Sequence, residues 1–219
     1  MKPLFARIIK HPVICLILSL VIALPFLSFV PSVQTVDNVD YFTPEDDPGM
    51  IFYNRFKAVF GNDEFFVIAF QDQDTIFTPE NLAVIKDITE QLERLDGVRD
   101  VISLSNVDDI TGSEDYFLVE RFLENIPTQK EALLELTKRA VSNNLYKKNM
   151  IATDARTTAI TVFPHERPED KEFRKRLVQQ TMEILAPYET EHTFHLAGMT
   201  ITNLRLSQFM KSDLSVFIP

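Results

Sequence analysis

The sequence predicts an α+β protein carried on a membrane anchor, and three observations lead there. Residues 12–30 form an uncharged apolar run, residues 64–104 and 157–196 each read as strand, helix and strand, and residues 105–155 separate those two units. Two such units in series predict helices on one face of an antiparallel sheet. The expected architecture is an N-terminal transmembrane helix followed by a ferredoxin-like βαββαβ domain with a helical insertion.

The anchor comes first. Residues 12–30 (PVICLILSLVIALPFLSFV) hold no charge, and their length is close to the roughly 20 residues that cross a hydrocarbon layer. A cleaved signal peptide shares the basic start and the apolar stretch. Its apolar core is shorter, however, and the small-x-small cleavage pattern is missing where Pro25, Phe29 and Pro31 stand. Lys2, Arg7 and Lys10 precede the run, while Asp37, Asp40, Glu45, Asp46 and Asp47 follow it. That bias predicts a cytoplasmic N-terminus and a body on the far side of a bacterial inner membrane.

The body is acidic. The whole chain carries −10, the first 35 residues carry +3, and the remainder therefore carries −13. Such a body repels a phosphate backbone, so nucleic acid is not an expected partner. The lone Cys15 provides neither a disulfide nor a thiolate cluster.

Residues 31–49 are turn-rich and acidic and read as a connector. Phe52, Phe56, Val59 and Phe60 then recur at helical spacing, with Gly61 closing a short helix. Residues 64–70 (EFFVIAF) are rich in strand formers. Thr78, Pro79 and Glu80 form a helix start: a capping hydroxyl, a proline at the first turn and an acid at the positive dipole end. Leu82, Ile85, Ile88, Leu92 and Leu95 line one face of that helix, Gly97 ends it, and residues 98–104 form the next strand.

The second unit uses residues 157–163 and 190–196 as strands around an amphipathic helix over 168–186, with Phe173, Leu177, Thr181 and Leu185 on its inner face. The insertion opens with an acidic loop (Asp108, Asp109, Glu114, Asp115), read as solvated, and continues into a helix over about residues 128–146. Residues 150–153 read as a short strand pairing back. After Gly198 a helical pattern turns apolar at Leu214, Val216, Phe217 and Ile218, as expected for the start of a second span cut short at Pro219. The expected divisions are 1–11, 12–30, 31–61, 62–197 and 198–219.

Chemistry is sparse. His192 and His195 lie three apart on an expected strand and so point to opposite faces, which disfavours a shared metal. The acidic loop lacks the alternating donors of a calcium site, the glycines are too dispersed for a phosphate cradle, and no serine sits in a nucleophile elbow. No catalytic residue, cofactor or metal is expected, and the chain is not read as an enzyme. The eighteen phenylalanines are read mostly as core, with the stripe Phe52, Phe56 and Phe60 as the candidate surface for a hydrophobic substrate.

The order of these features resembles the start of an RND-superfamily exporter of the MMPL-like type, which includes hopanoid and lipid exporters. The resemblance rests on the basic lead over 2–12, the apolar run and the acidic stretch over 37–48. It rests equally on the strand over 65–70, on VRDVISLSN at 98–106, and on AGMTITN at 197–203 leading toward Asp213. It implies that residues 62–197 are an extracytoplasmic porter domain of a proton-driven transporter of lipid-like substrates. The partners it implies are the remaining spans and a second porter domain, and a homo-oligomer is compatible with it. The competing expectation is a single-span adaptor that binds another membrane protein.

Overall fold

The computed structural model describes residues 12–29, 44, 46–61, 64–112, 117–167, 169–170 and 172–217. The chain divides into two compact units, Met1–Val36 and Asp37–Pro219. The basic lead, Asp37, Asp40, Glu45, Glu114, Asp115 and Pro219 lie outside the described residues.

In the first unit helix α1 covers Pro12–Phe29, with Pro25 inside it. Its large apolar side chains from Val13 to Phe26 are exposed, with Cys15 and Ala23 half-buried among them. Among the described residues no helix is long and apolar enough to cross a membrane. This finding corrects the transmembrane helix read at 12–30. With it fall the resemblance to RND and MMPL-like exporters, the proton-driven transporter, the single-span adaptor and the inner-membrane topology. The final helix of the chain, which carries Arg205, Lys211 and Asp213, likewise gives no second span.

The second unit is a mixed α+β domain. Its elements are α2 (Pro48–Phe60), β1 (Phe66–Gln71), α3 (Pro79–Glu93), β2 (Val98–Ile102), β3 (Asp108–Gly112), β4 (Phe117–Arg121), α4 (Lys130–Ser142), β5 (Thr157–Pro164), α5 (Phe173–Leu185), β6 (Thr193–Gly198) and α6 (Met199–Phe217). Four strands form one antiparallel sheet in the order β2-β5-β1-β6, and β3 and β4 form a separate hairpin.

Period-two patterning decides which face of the sheet is covered. Phe66, Ile68 and Phe70 of β1, Ile160 and Val162 of β5, and Val101 of β2 are buried. They meet Leu82, Ile85, Ile88 and Leu92 of α3, and Phe173, Leu177, Val178 and Leu185 of α5, in one core. Each such side chain contributes about 1.5–3 kcal/mol by leaving water. The opposite face carries Val67, Ala69, Ala159, Thr161 and Phe163, which are only partly covered, and the exposed Ala197.

Thr78 caps α3 as its sequence requires, accepting from the Asn81 N–H at 3.1 Å. Gly97 follows with φ +97°, and a Cβ there would lie 2.3 Å from the Phe173 ring. Only glycine therefore lets the turn into β2 close against the start of α5.

The insertion departs from the expected acidic loop. Asp108 and Asp109 sit in a strand, and Asp109 is buried, paired with Arg139 of α4 and 3.3 Å from the Asn143 amide. The Tyr146 hydroxyl donates to the Asp108 carbonyl at 2.9 Å, and its ring packs edge-on to Phe122. Burial, reinforced by the Asp109 charge, pushes the Tyr146 hydroxyl up to about 12. The Asp109 carboxylate, read locally as solvated, is here held by a cation thirty residues further along the chain, while Asp108 is exposed.

Candidate functional site: an aromatic helix face

Helix α2 is built by strong local signals. The Asp47 carboxylate accepts from the Gly49 and Met50 N–H groups at 2.8 and 3.1 Å, and Pro48 occupies the first turn, where its missing donor costs nothing. At the other end Gly61, with φ +86°, donates its N–H to the Lys57 carbonyl at 2.8 Å.

The orientation of this helix reverses the usual arrangement. Its more covered stripe is Met50, Tyr53 and Lys57. The Lys57 ammonium lies 3.6 Å from Glu166 and sits over the Tyr53 ring at 4.9 Å. The apolar stripe points outward instead: Phe52 is 71% exposed, Phe56 43%, Val59 75% and Phe60 72%. No residue of α2 is buried. Phe56 and Phe60 stack one turn apart with centroids 4.6 Å apart, so the face is ordered by contact within the helix itself.

The three residues singled out in the sequence, Phe52, Phe56 and Phe60, therefore share one exposed face. The other phenylalanines of that region divide: Phe66, Phe70 and Phe77 are core, whereas Phe65 is 44% exposed and packs on Phe163 at 5.9 Å. Arg99 lies over the far side of this pair, 5.7 Å from the Phe163 ring.

A second helix with exposed apolar side chains was not read from the sequence. In α6 Ile201 joins the core and Thr200, Asn203 and Ser207 are buried with it, while Met199, Leu206 and Phe209 are exposed. The spacing of those three was a usable signal, but it was absorbed into the expectation of a span. Glu64 fixes the root of α6: it accepts from Arg174 Nε and Nη2 at 2.8 Å each and from the Thr200 hydroxyl at 2.8 Å. Because Phe66 is paired with Gly198, α6 leaves the sheet beside the start of β1.

The histidines do not converge. His195 is exposed on the open face of the sheet, and His165 is exposed beyond β5. His192, which directly precedes the edge strand β6, is packed on the Phe70 ring at 4.8 Å, with its Nδ1 3.9 Å from an Asp72 carboxylate oxygen. Burial pushes the Asp72 carboxyl up, but the N–H groups of Asp74 and Thr75, the Asn81 side chain and the nearby His192 outweigh it and hold it below its ordinary value.

One further concavity lies on the open face of the sheet, a groove of about 380 Å³ floored by Ala69 and Ala159 and walled by Lys148, Met150 and Thr153. The aromatic face of α2 is the stronger candidate, because it combines several large apolar side chains that water surrounds at a cost. Its chemistry is that of burial and stacking, not of proton or group transfer. No protein-family model matches the chain and no curated protein matches it significantly, so the comparisons lend no support to the exporter resemblance.

Proposed function

We propose that this chain is a non-catalytic binding module whose α+β domain holds out the face Phe52, Phe56 and Phe60 of α2 to a hydrophobic or lipid-like ligand. The observation that carries this reading is the orientation of α2: a capped helix turns Lys57 toward the domain and its aromatic residues toward water. A helix placed only for stability would bury that stripe, since each large apolar side chain covered is worth about 1.5–3 kcal/mol. Exposed contiguous aromatics on an ordered scaffold are a recurring mark of an interaction site.

The test is photocrosslinking from position 56 in the full chain, with a photoreactive phenylalanine analogue and a long-chain fatty acid as probe. The reading expects a saturable adduct that unlabelled fatty acid competes away and that Phe52→Ser together with Phe60→Ser abolishes. An adduct that does not saturate, or one equally strong from a label at the exposed Glu131 of α4, would defeat it.

A further inference from the structure

The two edges of the four-stranded sheet are built differently, and the difference points to a partner. An edge strand presents unpaired N–H and C=O groups, and proteins that must stay monomeric blunt such edges with charge, proline, bulges or shortness. Edge β2 carries three of these: it has only five residues, Arg99 and Asp100 stand side by side, and its register shifts between Val98 and Asp100. Edge β6 carries none. Its six residues, TFHLAG, hold no Asp, Glu, Lys, Arg or Pro, and its pairing with β1 runs unbroken from Thr193 to Gly198. Among the described residues no strand lies beyond β6.

We infer that β6 pairs antiparallel with β6 of a second copy of this chain, joining two four-stranded sheets across a two-fold axis at His195. The axis position follows from side-chain alternation. Opposed residues in an antiparallel pair point to the same face, so a symmetric pairing that keeps both helical layers on one side must centre on a residue. Centring on His195 sets Thr193 against Ala197 and Phe194 against Leu196 of the second copy. This places an aromatic and a branched aliphatic side chain together on the half-buried helical face, a favourable cross-strand pair. Centring on Leu196 would instead require Gly198, where φ is +121° and the chain turns into α6.

Self-complementarity selects a second copy: the same six residues supply both halves of the Phe194–Leu196 pair, and β6 holds no charge to be set against its own image. The isologous geometry needs no second surface, because the same edge serves both copies.

The experiment uses the full chain with Cys15→Ser and a single new cysteine. Opposed Cα atoms in an antiparallel pair lie about 4.5–5.5 Å apart, within the range of about 4.4–6.8 Å that a disulfide spans. His195→Cys should therefore crosslink nearly completely to a covalent dimer under mild oxidation, and Arg99→Cys on the opposite edge should remain monomeric. In sedimentation equilibrium, His195→Asp, which sets two carboxylates on the axis, should weaken dimerisation at least tenfold. His195 is exposed, and circular dichroism checks that each variant keeps the fold. A wild-type mass that stays monomeric at all concentrations, or crosslinking no faster from position 195 than from position 99, would overturn the inference. Neither outcome bears on ligand capture by α2, which the photocrosslinking reads separately.

Discussion

Helices α2 and α3 begin alike and end up in opposite environments. Each opens with a side-chain cap followed by proline, Asp47–Pro48 in one and Thr78–Pro79 in the other, and each carries an apolar stripe at helical spacing. Yet α3 buries Asn81, Leu82, Ile85, Ile88, Thr89 and Leu92, and α2 buries nothing. The difference lies in connectivity. α3 is the crossover between β1 and β2, so its path obliges one face to lie on the sheet. α2 precedes β1 and belongs to no crossover, so its contact with the domain is set by the Lys57–Glu166 pair instead. An apolar stripe thus declares that something covers it, without saying whether the cover is the same chain or a ligand.

Truncation separates the two helices most sharply. Ile85→Ala should lower unfolding free energy by about 2–5 kcal/mol in urea denaturation, because its cavity opens in a packed core. Phe52→Ala should change it by less than about 0.5 kcal/mol. Equal losses at both positions would mean that α2 is covered in solution and would erase the contrast.

The next effect concerns the turn that seats α3. Gly97→Ala should destabilise by more than about 1 kcal/mol, since alanine resists φ +97° and its methyl would strike Phe173. Pairing it with Phe173→Leu should recover part of the loss, and thermal denaturation of both variants checks the coupling. Capping comes next in size. Thr78→Ala should cost about 1 kcal/mol of global stability, whereas Asp47→Ala should melt α2 alone, seen as a small loss of helical ellipticity at an unchanged unfolding midpoint. A shifted midpoint in Asp47→Ala would show α2 to be coupled to the core.

The smallest effect lies in the insertion. The folded Tyr146 holds its proton to about 12, while the unfolded residue releases it near 10. Its contribution is therefore fully present below about pH 10 and declines as pH rises from there toward 12. Urea midpoints at a series of alkaline pH values should fall across that window, less steeply in Tyr146→Phe. An identical slope in the variant would remove Tyr146 as the cause.

Much of the domain was legible because its signals are local. The strand read over 64–70 forms at Phe66–Gln71, the Thr78 cap and the Leu82, Ile85, Ile88 and Leu92 stripe stand as read, and Gly97 lies in the turn after α3, which ends at Glu93; each is a steric or hydrogen-bonding preference within a few residues. The candidate residues Phe52, Phe56 and Phe60 were legible as a stripe for the same reason. Asp109 was misread because its partner, Arg139, comes from a helix thirty residues further along the chain. The apolar run over 12–30 was read from its length, its lack of charge and its flanking charges, and among the described residues no helix there is long and apolar enough to cross a membrane; the family resemblance that leaned on it went the same way.

The sequence by itself determined which segments of the two strand–helix–strand units become helix or strand, since caps, prolines, glycines and period-two or helical alternation act over a few bonds. Only the tertiary structure decided which stripes are covered, which sheet edge is blunted and which is open, and which charges are paired. Those outcomes depend on surfaces that lie tens of residues apart along the chain, and local preference carries no information about what will come to lie against them.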